Sequence, residues 1–351
     1  MQKRLFLLGV LVLVAAQVAT AQMGGRFAFR FLEVPTHARV AALGGVNVSS
    51  GLEEVNAVTA NPALLQGKTN HQLGFSYLNY LSDISQNNLQ YAFESKRWGR
   101  NAIGVQYLDY GDFVQRDAAG QEEGSFTVRD YAVSFSHAAT IEHFTLGATA
   151  KVAVSSIAGD QAVATLVDIG GTFNHPEQDF VVGLAVKNLG LMLNTYGTGE
   201  RDAMPLDIQL GASYKPEHAP FRLSVTAHQL NRWDVVYLDP NKKGTINENG
   251  EEVKEEKSFG DQLARHFVTG AEFILGPGFQ LRAGYNHLRR QELVVENVGG
   301  MAGFSFGASI KIYAFRFDYT YAKMHVAGAA NYLTLTTDLN RFLKKATLQD
   351  L

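Results

Sequence analysis

A period of two constrains this chain more than any other feature. From Ala302 to Met324, AGFSFGASIKIYAFRFDYTYAKM, alternate residues separate into two kinds. Phe304, Phe306, Ala308, Ile310 and Ile312 share one face, and Ser305, Gly307, Ser309 and Lys311 share the other. After a bend at Tyr313-Ala314, Phe315, Phe317, Tyr319 and Tyr321 alternate with Arg316, Asp318, Thr320 and Ala322. Side chains return to the same face every second residue in a strand, so these are strands and not helices. So short a link permits only an antiparallel hairpin.

The pattern recurs from His71 onward in about fourteen segments, each near the ten-residue length of a tilted membrane-spanning strand. They fall at 71–80, 87–97, 101–110, 126–138, 143–156, 163–174, 180–189, 205–215, 221–230, 265–275, 279–290, 302–313, 314–324 and 331–340. One face is apolar, as in Leu73, Phe75 and Tyr77, or Phe221, Leu223, Val225 and Ala227. The other carries Gly, Ser, Thr and scattered charges, as in Gly147, Thr149 and Lys151. Small residues on the polar side suit an inward face that leaves room for an insert. The connections after even-numbered segments are short, including Arg97–Arg100, Ala139–Glu142 and Tyr313-Ala314. Those after odd-numbered segments run longer, including Gly111–Ser125, Gly190–Met204, Asn231–Ala264 and Gln291–Met301. Short turns on one rim and long loops on the other mark an outer-membrane barrel. The expected fold is all-β, a 14-stranded antiparallel transmembrane barrel over residues 71–340.

What precedes the strands reads differently. Lys3 and Arg4, the apolar run Leu5–Ala16 and the small residues Ala19-Thr20-Ala21 form a secretory signal peptide over 1–21. Residues 22–70 do not alternate; they are rich in small residues and read as an N-terminal plug with short helical turns, packed inside the barrel. Residues 341–351, Arg341-Phe342-Leu343-Lys344-Lys345 onward, read as a short amphipathic periplasmic helix. An even strand count puts both ends of the barrel on the periplasmic side of the outer membrane. The chain has no Cys, which removes disulfides, thiol chemistry and a lipid-modified anchor. Net charge is -3, from 31 basic and 34 acidic residues, so no overall field attracts nucleic acid.

An insert carrying Asn61-Pro62-Ala63 ahead of fourteen strands resembles the long-chain fatty-acid transporter class of outer-membrane barrels. Phe31-Leu32, Pro35-Thr36, Ala38-Arg39-x-Ala41-Ala42-Leu43-Gly44-Gly45 and Asn61-Pro62-Ala63-Leu64-Leu65 are similar, more narrowly, to the PorQ family of type IX secretion barrels. The related PorV barrels are the near miss. The specific motifs cover only residues 27–65. The resemblance implies a non-enzymatic scaffold that holds surface proteins of the attachment complex, a PorZ-like protein first among them.

Catalytic groups are sparse. The ten His are scattered without ligand spacing, and there is no Gly-x-Ser-x-Gly elbow, so neither enzyme activity nor a cofactor is expected. His228 faces inward and reads as a lumen hydrogen-bonding group. Asp239-x-Asn241-x-x-Gly244 echoes a calcium loop, but Lys243 stands at a ligand position and Gly250 where the closing Glu belongs, so no metal is assigned. The long loop around it, with Trp233, Tyr237, Asp239, Asn241, Glu251 and Glu252, is the candidate partner-binding surface. In the insert the candidate residues are Arg39, Gly44, Gly45, Asn61, Pro62 and Ala63, serving structure or gating. Arg39 requires an acid inside the barrel, with Asp207, Asp318 and Asp168 as candidates. Two functions remain open: a secretion scaffold that passes nothing, and a transporter for hydrophobic small molecules such as long-chain fatty acids.

Overall fold

Alternation sorts the strand residues so that one face is greasy along its whole length; lipid can cover such a face, and closing the sheet there leaves no strand edge unpaired. The computed structural model shows this closure. It describes residues 28–51, 53–196, 202–236, 245–246, 252–253, 258–293, 300–323 and 328–342. Residues 1–21, expected to be a signal peptide, and most of the expected C-terminal tail lie outside them. The strands are β1 (Gln72–Asn79), β2 (Ser85–Ser95), β3 (Gly99–Arg116), β4 (Glu122–Ile141), β5 (Phe144–Ile157), β6 (Asp160–Asn174), β7 (Asp179–Asn194), β8 (Asp207–Lys215) and β9 (Phe221–Ala227). After a two-residue ribbon, β10 (Thr245–Ile246) with β11 (Glu252–Val253), come β12 (Phe267–Ile274), β13 (Phe279–Asn286), β14 (Phe304–Ile312), β15 (Phe315–Ala322) and β16 (Ala330–Asp338).

All strands except β10 and β11 form one closed antiparallel barrel, sealed where β1 pairs with β16 from Gln72↔Asp338 to Asn79↔Asn331. Register keeps like with like: Phe306 lies opposite Tyr321 and Ile310 opposite Phe317. The outer wall is apolar and uncovered, with Phe317 50% and Leu333 55% exposed. An apolar belt of this extent is foreign to soluble monomers and is the surface that lipid covers.

One rim consists of tight links at 96–98, 142–143, 175–178, 216–220, 275–278 and 313–314. The opposite rim departs from expectation in three places; in one, β7 runs to Asn194, into the loop expected from Gly190. The link after β5 is only Ala158-Gly159, because β5 and β6 continue as paired strands through residues assigned to a loop. Likewise most of the loop expected at Gly111–Ser125 is strand. Beyond Asp109, β3 leaves β2 and pairs with β4 alone, as a ribbon ending at 117–121. Phe113 stacks on Phe126 there at 5.4 Å, and the Asp117 carboxylate accepts from the Ala119 and Gln121 N–H groups. The long loop after β9 carries helix α2 (Phe259–Arg265), and α3 (His287–Glu292) follows β13.

Residues 28–70 add no strand to the barrel. They form α1 (Ala38–Ala42) and single 3-10 turns at Arg30–Glu33, Val55–Thr59, Pro62–Leu64 and Gly67–Thr69. Helix α1 packs on β13 to β16, and the Pro62–Leu64 turn packs across the barrel on β4 to β6. At the far end, Asn340–Phe342 begin a helical turn. Phe342 rests on Tyr313 and Phe315, and the Arg341 guanidinium lies over the Tyr313 ring.

Candidate functional site

The five-residue α1 is too short to satisfy its own backbone, and the inner wall satisfies it instead. The Ala38 N–H donates to Thr334 Oγ1 (2.9 Å), and Thr320 Oγ1 donates to the Ala38 carbonyl (2.7 Å). Ser305 Oγ donates to the Ala42 carbonyl (2.9 Å) and accepts from the Gly44 N–H (3.2 Å). Gly44 and Gly45 both have φ +92°, a left-handed conformation that ends the helix and that glycine adopts without strain. A side chain on Gly44 would also overlap Val268, and one on Gly45 would meet Arg289.

Arg39 projects from α1 into an ion-pair network. Its Nη1 donates to Glu54 Oε1 and its Nη2 to Glu272 Oε2, both at 2.8 Å. Arg282 reaches Glu272 (3.1 Å) and Asp318 (2.5 Å), and Arg316 pairs with Glu54. None of the three acids expected beside Arg39 pairs with it: Asp318 belongs to Arg282, Asp168 to Lys151, and Asp207 accepts from Gln209 and the Gln229 N–H. Register explains the choice. Glu272 lies directly opposite Arg222 on β9 and Arg282 on β13, so the wall holds a carboxylate between guanidiniums at the height of α1. Sequence reasoning missed Glu54, Glu272, Arg282 and Arg316. The available signal was Glu272 sharing the parity of Val268 and Gly270, the inward face of its strand.

Burial opposes the charge on Glu54, but Arg39, Arg316 and Arg282 outweigh it and hold the carboxyl well below the usual range. Burial likewise opposes the charge on Arg39, and Glu272 and Glu54 reverse that and keep it protonated. Nearby His37 has no comparable compensation. Burial dominates and lowers its pKa to about 4, so it is neutral at physiological pH.

The Asn61-Pro62-Ala63 turn is seated opposite. The Asn61 side chain caps the turn by accepting from the Ala63 N–H (3.0 Å) and donates to the Val48 carbonyl (2.9 Å). The wall makes room with glycine: a methyl group at Gly147 would lie 2.5 Å from the Pro62 carbonyl carbon. Gly211 lies against Val48, whereas Thr149 bonds Ser136 and both face a cavity.

Two hollows flank this layer. On the long-loop side a cavity of about 190 Å³ has a mixed lining, with Asn88, Gln90, Gln106, Lys187 and Gln209 beside Leu32, Val34, Val58 and Leu288. On the short-turn side a hollow of about 590 Å³ is lined by Arg39, Lys68, Arg222 and Arg316 with Glu53 and Asp179. Neither is an apolar groove.

The other candidates scatter. His228 is buried just after β9, where its backbone N–H donates to the His266 carbonyl, and its ring Nε2 has no hydrogen-bond partner among the described residues. Trp233 packs on Phe259 and His266 and donates from Nε1 to Gln262 (3.1 Å). Tyr237, Asp239, Asn241 and Glu251 lie outside the described residues, as does the calcium-like loop. Glu252 is placed only as backbone in β11. Among the described residues no group of three or more His, Asp or Glu is arranged to hold a metal ion.

No family model matches the chain, and no curated relative matches it. Among solved structures it is similar to a TodX monoaromatic hydrocarbon channel mutant, at 14% identity and TM-score 0.49, covering 86% of this chain and 96% of that one. It is similar to a Pseudomonas aeruginosa FadL homologue at 10% identity and TM-score 0.47, over 86% of this chain and 98% of that one. It is also similar to the outer membrane protein Omp33 of Acinetobacter baumannii, at 10% identity and TM-score 0.36, over 76% and 96% of the two chains.

Proposed function

We propose that this outer-membrane-type barrel is a scaffold. Residues 28–70 act as a fixed plug, and the long-loop rim anchors surface partner proteins of a type IX secretion attachment complex, a PorZ-like protein among them. The observation that supports a fixed plug is the Arg39 network, which ties the insert by buried ion pairs to wall strands β12, β13 and β15. The secretion assignment rests on the N-terminal motif alone. Two measurements test the reading. Purified full-length chain in a planar bilayer should give no open-pore conductance. Affinity purification from solubilised outer membrane should recover the same surface protein from wild type, and lose it from a chain with loop 228–266 shortened. Recovery of no partner, together with defective lipid uptake in a deletion strain, would sink the scaffold.

The second reading is a small-molecule transporter, with the plug as a gate. The two hollows on either side of the plug favour it, as vestibules of an interrupted path. Channels and FadL-type proteins among the similar structures belong with this reading. The buried amides of one lining and the charged groups of the other weigh against fatty acids as the cargo.

A further inference from the structure

The long-loop-side cavity owes one of its walls to a defect in the ladder. Between β6 and β7 the register slips: Val167 pairs with Leu189 and Ile169 with Val186, leaving Lys187 and Asn188 together opposite Asp168. Such a bulge breaks alternation, so two consecutive residues turn inward while Leu184 and Leu189 keep facing lipid. Asn188 takes a left-handed backbone, φ 58°, to complete the turn. In return its N–H donates to Asp168 Oδ1 (2.7 Å) and its side-chain Nδ2 to the Pro205 carbonyl (3.2 Å). Its Oδ1 accepts from Lys151 Nζ (3.1 Å), and Lys151 also pairs with Asp168 at 2.5 Å.

Asp168 is thereby used up. The acid directly across the ladder from Lys187 is Asp207, and it is occupied by Gln209 and the Gln229 N–H. Among the described residues Lys187 therefore has neither an ion-pair partner nor a side-chain hydrogen bond, and it lines the cavity. The same cavity is lined by the amides of Asn88, Gln90, Gln106 and Gln209, and also by the Arg289 guanidinium and the carboxylates of Glu33 and Glu292. The volume, about 190 Å³, exceeds the ~150 Å³ that accommodates benzene in an engineered protein cavity.

We propose that this cavity binds a small hydrophilic molecule through a carboxylate or phosphate oxyanion placed against Lys187, with the surrounding amides holding its hydroxyl groups. The geometry that carries the proposal is the bulge, which aims an ammonium group into a polar space while committing the nearest acids elsewhere. The site stands independently of the scaffold reading.

The test is calorimetric titration of full-length chain in detergent with sodium gluconate, inorganic phosphate and glucose. Saturable binding of gluconate, or of phosphate, supports the site and names its oxyanion. Lys187→Gln weakens that binding at least about tenfold, as for one lost charge-assisted hydrogen bond, and Lys187→Arg restores it. Binding unchanged in Lys187→Gln, or no oxyanion binding by wild type, overturns the proposal. A second measurement needs no variant: reductive methylation of Lys187 in wild type, followed by mass spectrometry, should be slowed by the bound oxyanion. Methylation at the same rate with and without it overturns the proposal as well.

Discussion

Replacing Arg39 by Met should loosen residues 28–70 and leave the barrel intact. The side chain makes two buried charge-assisted bonds of 2.8 Å, to Glu54 and Glu272. Such bonds contribute about 1.5–3 kcal/mol each, and breaking a buried pair from one side costs about 3–5 kcal/mol. The lower end applies, because each stranded acid keeps another guanidinium: Arg316 on Glu54 and Arg282 on Glu272. A loss of ~3 kcal/mol multiplies the undocked population roughly 100-fold. The barrel closes without any strand from this segment, so its ladder should not share the loss. Hydrogen exchange followed by mass spectrometry separates the two regions. Amides of α1, such as Ala41 and Leu43, which donate to His37 and Arg39 carbonyls, should exchange about 100-fold faster by local opening, with those of β5 and β6 unchanged. Unaltered α1 exchange, or an equal acceleration in the wall, would refute the argument that these ion pairs seat the segment.

Three further outcomes follow from the same geometry. Gly147→Val should displace the Asn61-Pro62 turn and raise protease cleavage within residues 53–70, whereas Gly171→Ala, whose added methyl lies 3.6 Å from Leu146, should not. His37 is neutral when buried, so its contribution to docking is complete above its unfolded value near 6.5 and is lost as pH falls through about 4. That interval corresponds to ~3 kcal/mol, visible as segment proteolysis rising between pH 6 and pH 4 and suppressed in a neutral His37→Gln variant. Leu333→Lys, on the lipid face, should cost about 2–4 kcal/mol in urea unfolding from vesicles, while Thr334→Ser on the inward face costs far less.

Alternation carried most of the wall. Phe304 to Ile312 and Phe315 to Ala322 are strands because lipid outside and polar contacts inside repeat with the same period as the backbone. The signal fades where the wall leaves lipid. Along Gly111–Arg116 and Glu122–Thr127 both faces meet water, no apolar stripe is selected, and a paired ribbon reads as a loop. It also fails at Lys187-Asn188, where a bulge offsets the count by one. The partner of Arg39 was beyond reach for a different cause. Asp207, Asp318 and Glu272 are all acids at inward positions, and only the stagger between strands tells which of them stands level with α1.

The network that seats α1 also dictates an order of events. Ala38, Arg39 and Ala42 precede every strand of the barrel, yet their partners Glu272, Ser305, Thr320 and Thr334 belong to its later strands. A contact spanning 296 positions cannot form before the receiving strand has been made. The segment is made before the wall and seated after it. Until β16 is in place, the Ala38 N–H lacks the Thr334 hydroxyl that receives it.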